Sequence, residues 1–228
     1  MSLTLYLHPL ASFCHKVLIS LYESGVSFEA KIVNFAEPAS AGAHFERWPV
    51  GKIPVLHDHA TGRVVPETSI IIEYLQQHYP EKFSLLPSDP EQLLEVRLWD
   101  RFYDLYVSAP MQKIVTDRIR PADANDPHGV GEAHATLETA YAMIEVQLYG
   151  KTWTTGENFT MADCAAFPAL FFASMVHPFR EDQPLLAGYL DRLLRRPSVE
   201  HVIAEAQPYF KFFPYKEALP KRFLEAAE

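Results

Sequence analysis

Gly51-Lys52-Ile53-Pro54-Val55-Leu56 is the part of the chain from which the fold is most readily predicted. Proline has no N–H for a sheet ladder, so Pro54 is expected at the start of a strand rather than inside one. The turn-forming residues that follow predict a hairpin to a second short strand, Arg63 to Val65. A helix is expected directly afterwards, with Thr68 or Ser69 as its N-cap.

The residues before this stretch predict two further strands and two helices. Residues 3–8 have the pattern of a strand closed by Pro9, and apolar positions at helical spacing then predict a helix that ends at Gly25. Residues 28–33 alternate as a second strand, and a short helix is expected between residues 34 and 49. The predicted order is therefore β-α-β-α-β-β-α.

The residues after position 90 have a different periodicity. Three prolines lie between residues 79 and 90 and indicate a linker. Beyond it the apolar residues recur at a period near 3.6, for example at Leu94, Leu98 and Leu105, which predicts an all-helical second half. Thr160 and Asp163 have the spacing of a capping box before a long apolar helix, so Asp163 is interpreted as structural.

These elements resemble the glutathione S-transferase family. The resemblance rests on the strand that begins at Pro54, its hairpin, the Glu67-Thr68 pair and the Thr160–Asp163 box. It implies an α/β thioredoxin-like N-terminal domain over residues 1–82, which binds glutathione. An all-α helical C-terminal domain over residues 90–228 is then expected to contribute a hydrophobic cosubstrate pocket.

The resemblance also implies a set of glutathione-binding residues. In that family the matching proline is cis, so Pro54 would hold the backbone of Ile53 against the cysteinyl part of glutathione, with Lys52 beside it. Glu67 and Thr68 match the pair that holds the γ-glutamyl end. A helix N-terminus favours a carboxylate and an acid can pair with an ammonium, so the chemistry agrees. Alone, this pair would be interpreted as a helix cap.

The loop between the first strand and the first helix is where this family places its reactive residue. Ser12 is the catalytic candidate, and a second glutathione contact, because a hydroxyl at a helix start can stabilise a thiolate. Ala11 occupies the position that usually carries the reactive group, which argues against the nucleophilic chemistry of a glutaredoxin. Cys14 is interpreted as a packing residue, with a reactive thiol as the alternative. His15 is interpreted as a solvated surface residue.

A hydrophobic cosubstrate pocket is expected to be lined by Phe13, Tyr103, Tyr106 and Met111, with plain packing as the alternative for the last two. The function predicted is a cytoplasmic, homodimeric, detoxifying transferase that activates the glutathione thiol for attack on a small hydrophobic electrophile. Two alternatives stay open: a non-catalytic glutathione or ligand carrier, and a glutathione-dependent isomerase or dehalogenase on the same fold.

The composition excludes several other classes. A formal charge of −9 argues against a nucleic-acid partner or an anionic membrane surface. Apolar runs are too short to predict a membrane span. The two cysteines have neither metal spacing nor a disulfide framework, and His57 with His59 lacks a third ligand, so no metal site is expected.

Overall fold

The computed structural model describes residues 2–82 and 84–223. Its first half is a four-stranded sheet with strand order β2-β1-β3-β4 and three helices. The strands are β1 (Leu3–Leu7), β2 (Glu29–Ile32), β3 (Val55–Asp58) and β4 (Arg63–Pro66), and the helices are α1 (Ser12–Ser24), α2 (Pro38–Arg47) and α3 (Thr68–His78). The predicted order β-α-β-α-β-β-α is confirmed.

Strand β1 is the centre of this sheet. It pairs in parallel with β2, where Leu5 lies opposite Ala30, and antiparallel with β3, where Leu5 lies opposite Leu56. Strand β3 pairs antiparallel with β4, so the hairpin expected after Pro54 is present. Leu5 and Leu56 are fully buried in the same apolar core as Val17 of α1 and Ile71 of α3. The loops at the ends of β1 and β3 are thereby fixed in position.

The second half is helical. Its elements are α4 (Pro90–Phe102), a π-helical segment (Tyr103–Ser108), α5 (Ala109–Arg118), α6 (Pro127–Gln147), α7 (Met161–Val176), α8 (Pro184–Leu194) and α9 (Pro197–Ala206). Helix α7 is apolar on nearly every side and is buried along almost its whole length. It packs against α1 as well as α4, so one continuous core joins the two halves.

The π-helical segment lies just before Pro110 in the chain. Proline cannot donate a hydrogen bond to the carbonyl four residues earlier, which is that of Tyr106. The backbone widens just before this point, where Ala109 N–H donates to Asp104 C=O five residues back. Ser108 and Ala109 keep right-handed helical dihedrals, so the chain continues from α4 into α5 as one long helix.

The capping box at the start of α7 is present, and Asp163 has more partners than a surface cap would have. Its carboxylate accepts the N–H of Thr160 at 2.8 Å and the N–H of Thr154 at 2.9 Å. The hydroxyl of Tyr189 donates to the same carboxylate at 2.5 Å. Asp163 is fully buried, so its hydrogen bonds connect α7, α8 and the loop before α7 inside the core.

The aromatic segment after α9 packs back onto the core. Phe210 and Phe213 are buried against Phe171 and Phe172 of α7, with ring centroids 5.9 Å and 5.2 Å apart. The rings of Tyr209 and His8, the residue just after β1, pack in a T-shaped arrangement with their centroids 5.1 Å apart. The aromatic segment after α9 therefore contacts both α7 and the start of the loop between β1 and α1.

Candidate active site

A cavity of about 630 Å³ lies between the sheet and the long helix formed by α4, the π-helical segment and α5. Every residue predicted to bind glutathione lines it, and so does Phe13. These residues are Ser12, Phe13, Lys52, Ile53, Pro54, Glu67 and Thr68. They come from three separate loops, which the order of strands β1, β3 and β4 brings to one end of the sheet.

Ser12 is the first residue of α1 and is almost fully buried. Ala11 precedes it in extended conformation and makes no side-chain cap hydrogen bond, so no capping side chain covers the N–H groups of Ser12 and Phe13, whereas the Cys14 N–H donates to Ala11 C=O at 2.9 Å. Gln112 on α5 places its Nε2 atom 3.5 Å from Ser12 Oγ across the cavity. Two side chains from opposite halves of the protein thus meet where the reactive group is expected.

His15 is one helical turn after Ser12, and its interpretation as a solvated residue is wrong. The side chain is fully buried, and its Nε2 donates to the carbonyl of Pro9 at 2.6 Å. Burial lowers the pKa of His15 to about 4, so the ring is neutral around neutral pH. The neutral ring can pack against Phe172 while it ties the loop before Ser12 to α1. The sequence pattern did not indicate that His15 is buried, because the side chain packs against α7, which lies far away in the chain.

Cys14 is fully buried in the first turn of α1. Burial raises the pKa of its thiol to about 12, which keeps it protonated. A thiol acts as a nucleophile through its thiolate, so Cys14 has the properties of the packing residue that was predicted.

The peptide bond between Ile53 and Pro54 is cis, as the resemblance implied. Ile53 borders the cavity and Pro54 is buried beneath it at the start of β3. His44 on α2 is also buried, and its Nε2 donates to the carbonyl of Lys52 at 3.0 Å. The segment before β3 is therefore held from the α2 side as well as by the sheet.

Glu67 has a backbone conformation that non-glycine residues rarely adopt, with φ 67° and ψ 121°. Such a conformation costs about 1–3 kcal/mol and persists where the surrounding structure imposes it. Here β4 ends at Pro66 and α3 begins at Thr68, so a single residue makes the turn between them. The result is an exposed carboxylate at the N-terminus of α3 that borders the cavity.

A buried charge network lies behind Glu67 and joins the two halves of the protein. Lys16 Nζ is 2.6 Å from Asp100 Oδ1 and 2.8 Å from Asp104 Oδ2, and it donates to Ser69 Oγ at 3.0 Å. Ser69 in turn donates to Asp100 at 2.5 Å. Burial raises the pKa of the Asp104 carboxyl, and the neighbouring Lys16 opposes that shift.

The charged residues Arg101 and Asp104 of the cavity wall were not predicted from the sequence. Arg101 and Asp104 border the cavity near Glu67, and Arg101 Nη2 lies 3.2 Å from Asp104 Oδ2. Together with Glu67 they give this end of the cavity charged groups of both signs. Helical periodicity places Arg101 and Asp104 near one face of the long helix, but it does not indicate that this face meets α3. Gln112 was missed for the same reason.

The other residues predicted for the cosubstrate pocket lie elsewhere, so their assignment is corrected. Tyr103 is fully buried and its hydroxyl bonds to Thr154 inside the helical core. Met111 is buried and is not among the residues that line the cavity, and Tyr106 lies in a groove between α4 and α6. The wider π-helical turn changes which residues share a face, so Leu105 and Ala109 line the cavity instead.

Within residues 2–82 and 84–223, no three His, Cys, Asp or Glu side chains are grouped so as to hold a metal ion. None of the helices in those ranges has the length and apolar character needed to cross a membrane.

The sequence matches two family models. Residues 11–78 match the model described as "Glutathione S-transferase, N-terminal domain", and residues 114–192 match "Glutathione S-transferase, C-terminal domain". The first match contains the cavity loops of α1, β3 and α3. The second begins within α5, just after Gln112.

Individual relatives have the same family name or fold. Glutathione S-transferase U25 of Arabidopsis thaliana is 30% identical, and the alignment covers 72% of each chain. Protein LigF of a Sphingobium species is 25% identical over 91% of this chain and 95% of its own length. A glutathione S-transferase of Methylobacterium radiotolerans, solved in complex with glutathione sulfonate, has a TM-score of 0.77 at 27% identity, covering 88% of this chain and 93% of that one.

Proposed function

Because the chain belongs to the glutathione S-transferase family, we propose that it binds glutathione in this cavity and activates the thiol for attack on a hydrophobic electrophile. The observation that supports the proposal most is the convergence of Ser12, Ile53, Glu67 and Thr68 on one cavity of suitable size.

The charged end of the cavity suits the γ-glutamyl group, which has an ammonium and a carboxylate on one carbon. Glu67 would pair with the ammonium, and the N-terminus of α3 at Thr68 would accept the carboxylate. Arg101 and Asp104 border the same end of the cavity, and they add one positive and one negative charge to it. We therefore add them to the proposed glutathione site.

The cysteinyl part would pair with the backbone of Ile53, which directs the thiol toward Ser12. A free thiol has a pKa of roughly 8.5, and lowering it by two units requires about 2.7 kcal/mol. A hydrogen bond from the Ser12 hydroxyl to the sulfur and the N-terminus of α1 would both stabilise the thiolate. The thiol proton passes to solvent, the sulfur lone pair forms the S–C bond, and the bond to the leaving group breaks.

A conjugation assay with purified protein and two variants tests this function. Ser12→Ala is expected to lower kcat/KM about ten- to a hundredfold, equivalent to ~1.4–2.7 kcal/mol of transition-state stabilisation. It should also raise the thiol pKa obtained from the pH dependence of kcat/KM. Cys14→Ser is the matched control and should change kcat/KM little, because Cys14 is buried and protonated.

The outcomes separate this function from the alternatives. Loss of activity in Cys14→Ser, together with unchanged activity in Ser12→Ala, would indicate a mechanism based on the Cys14 thiol instead of the Ser12 hydroxyl. Glutathione binding without turnover of any electrophile would favour the non-catalytic carrier. Turnover of an isomerase or dehalogenase substrate alone would favour that alternative reaction.

A second candidate reaction is the cleavage of an ether. It is favoured by the similarity to LigF, whose solved structure is described as that of a beta-etherase. The same thiolate would attack the carbon of a C–O bond, and the oxygen would leave as an alkoxide or phenoxide. Release of a phenol from an aryl ether, in the presence of glutathione and dependent on Ser12, would support this candidate.

We also propose that the protein is a homodimer that forms through α4 and α6. The apolar stripe predicted on α4 points outward: Leu94 and Leu98 are more than half exposed. On α6, Met143 and Val146 are similarly exposed, and the grooves between the two helices have volumes of about 640 and 700 Å³. Large apolar surfaces on one face are typical of interfaces, and two-fold pairing would bury each against its copy.

Both cysteines are free and buried, which fits the cytoplasmic location we propose.

A further inference from the structure

The long helix forms one wall of the cavity, and its chemistry changes along its length. Arg101 and Asp104 provide charge at the end near Glu67, Leu105 and Ala109 form an apolar middle, and Gln112 is at the far end. The π-helical segment brings these residues to one face. Past the apolar middle, the wall therefore has an amide group next to Ser12.

The amide of Gln112 can donate a hydrogen bond to a ligand as well as to Ser12. A primary amide has two N–H donors, and the structure uses one of them for Ser12 Oγ, at 3.5 Å. That contact is long, and the side chain is only partly buried, so the amide can turn toward the cavity. A neutral donor placed in a mostly apolar wall favours a ligand that brings an acceptor to it.

The position of Gln112 also relates it to the reacting atoms. A sulfur hydrogen-bonded to Ser12 lies about 3.3 Å from Oγ, so it lies within about 7 Å of Gln112 Nε2. The attacked carbon must approach within about 3–3.5 Å of the sulfur. An acceptor oxygen two or three bonds from that carbon is then within reach of the amide.

We propose that Gln112 is a specificity-determining residue that donates a hydrogen bond to an acceptor oxygen on the electrophile, close to the attacked carbon. This deepens the proposed function and rests on it. The favoured substrates are electrophiles in which a carbonyl activates the attacked carbon, such as α,β-unsaturated ketones.

In the reaction of such a ketone, the amide would stabilise the negative charge that develops on the carbonyl oxygen. The thiolate lone pair forms the S–C bond at the β-carbon, and the C=C electron pair moves so that an enolate develops with its charge on oxygen. The Gln112 N–H stabilises that oxygen as the charge grows. The α-carbon then takes a proton from water, which replaces the proton lost by the thiol, and the product is a saturated thioether.

Kinetics with two electrophiles test the proposal. 4-Phenylbut-3-en-2-one has the acceptor oxygen, whereas benzyl chloride has none and reacts by displacement of chloride. Gln112→Leu is expected to lower kcat/KM for the enone at least tenfold more than it lowers kcat/KM for benzyl chloride. Gln77→Leu makes the same change at an exposed position of α3 and should affect neither.

A binding measurement covers the case in which turnover is slow. S-(3-oxobutyl)glutathione and S-butylglutathione differ by a carbonyl in place of a methylene, and titration calorimetry gives their affinities. The parent protein should prefer the oxobutyl conjugate, and Gln112→Leu should remove that preference while retaining the affinity for S-butylglutathione.

Each other outcome overturns the proposal. Equal losses for both electrophiles, with a raised thiol pKa, would make Gln112 a positioning residue of Ser12. Unchanged kinetics and an unchanged preference between the conjugates would remove Gln112 from substrate recognition. Failure of the parent to bind glutathione or either conjugate would instead overturn the proposed function itself.

Discussion

At the scale of single residues, Glu67 shows best how the backbone prepares the site. Its unusual dihedrals place a carboxylate at the N-terminus of α3, where the bound ammonium of glutathione is proposed to lie. Glu67→Ala should weaken glutathione binding by about 1–3 kcal/mol, because the ammonium loses its partner. Titration calorimetry measures this, and Glu73→Ala, which removes a carboxylate further along α3, is the control. Unchanged affinity in folded Glu67→Ala protein would remove Glu67 from the proposed site.

At the scale of elements, the buried capping box of α7 is expected to contribute more to stability than an exposed cap. Asp163→Ala leaves buried donors of Thr154, Thr160 and Tyr189 without their acceptor, so the free energy of unfolding should fall by about 2–5 kcal/mol. The exposed cap Asp89 accepts a single backbone N–H at 2.9 Å, and its replacement by alanine should cost about 0.5–1 kcal/mol. Urea unfolding gives both values. Equal costs, or lost activity with unchanged stability, would contradict a structural role for Asp163.

At the scale of the whole molecule, the exposed apolar face of α4 and α6 predicts self-association. Leu98→Glu would place a charge in the proposed two-fold interface and should raise the dimer dissociation constant at least a hundredfold, or about 2.7 kcal/mol. Light scattering after size exclusion should give twice the mass of the chain for the parent and one mass for the variant. Ile119→Glu, at a similarly exposed apolar residue after α5, should remain a dimer. A monomeric parent protein would contradict the proposal.

The local sequence was enough to predict the order of elements and the strand start at Pro54 with its hairpin, and the family resemblance implied the loops that line the cavity. The reason is that each of these depends on residues close together in the chain: a proline without a donor, a hairpin turn, or a cap at a helix start. The same local signals placed Ser12, Glu67 and Thr68 at element ends, where a sheet of this topology brings them together.

Only the tertiary structure decided which polar side chains face the interior. His15 is buried because α7 packs on it, and Arg101, Asp104 and Gln112 join the cavity because the long helix lies across it. Tyr103 and Tyr106 do not line the cavity as predicted, because a π-helical turn changes which residues share a face of that helix. Helical periodicity separates an apolar face from a polar one, but the side chains each face meets come from segments far away in the chain. That is why the helical wall of the cavity, unlike its loops, could not be assigned from sequence alone.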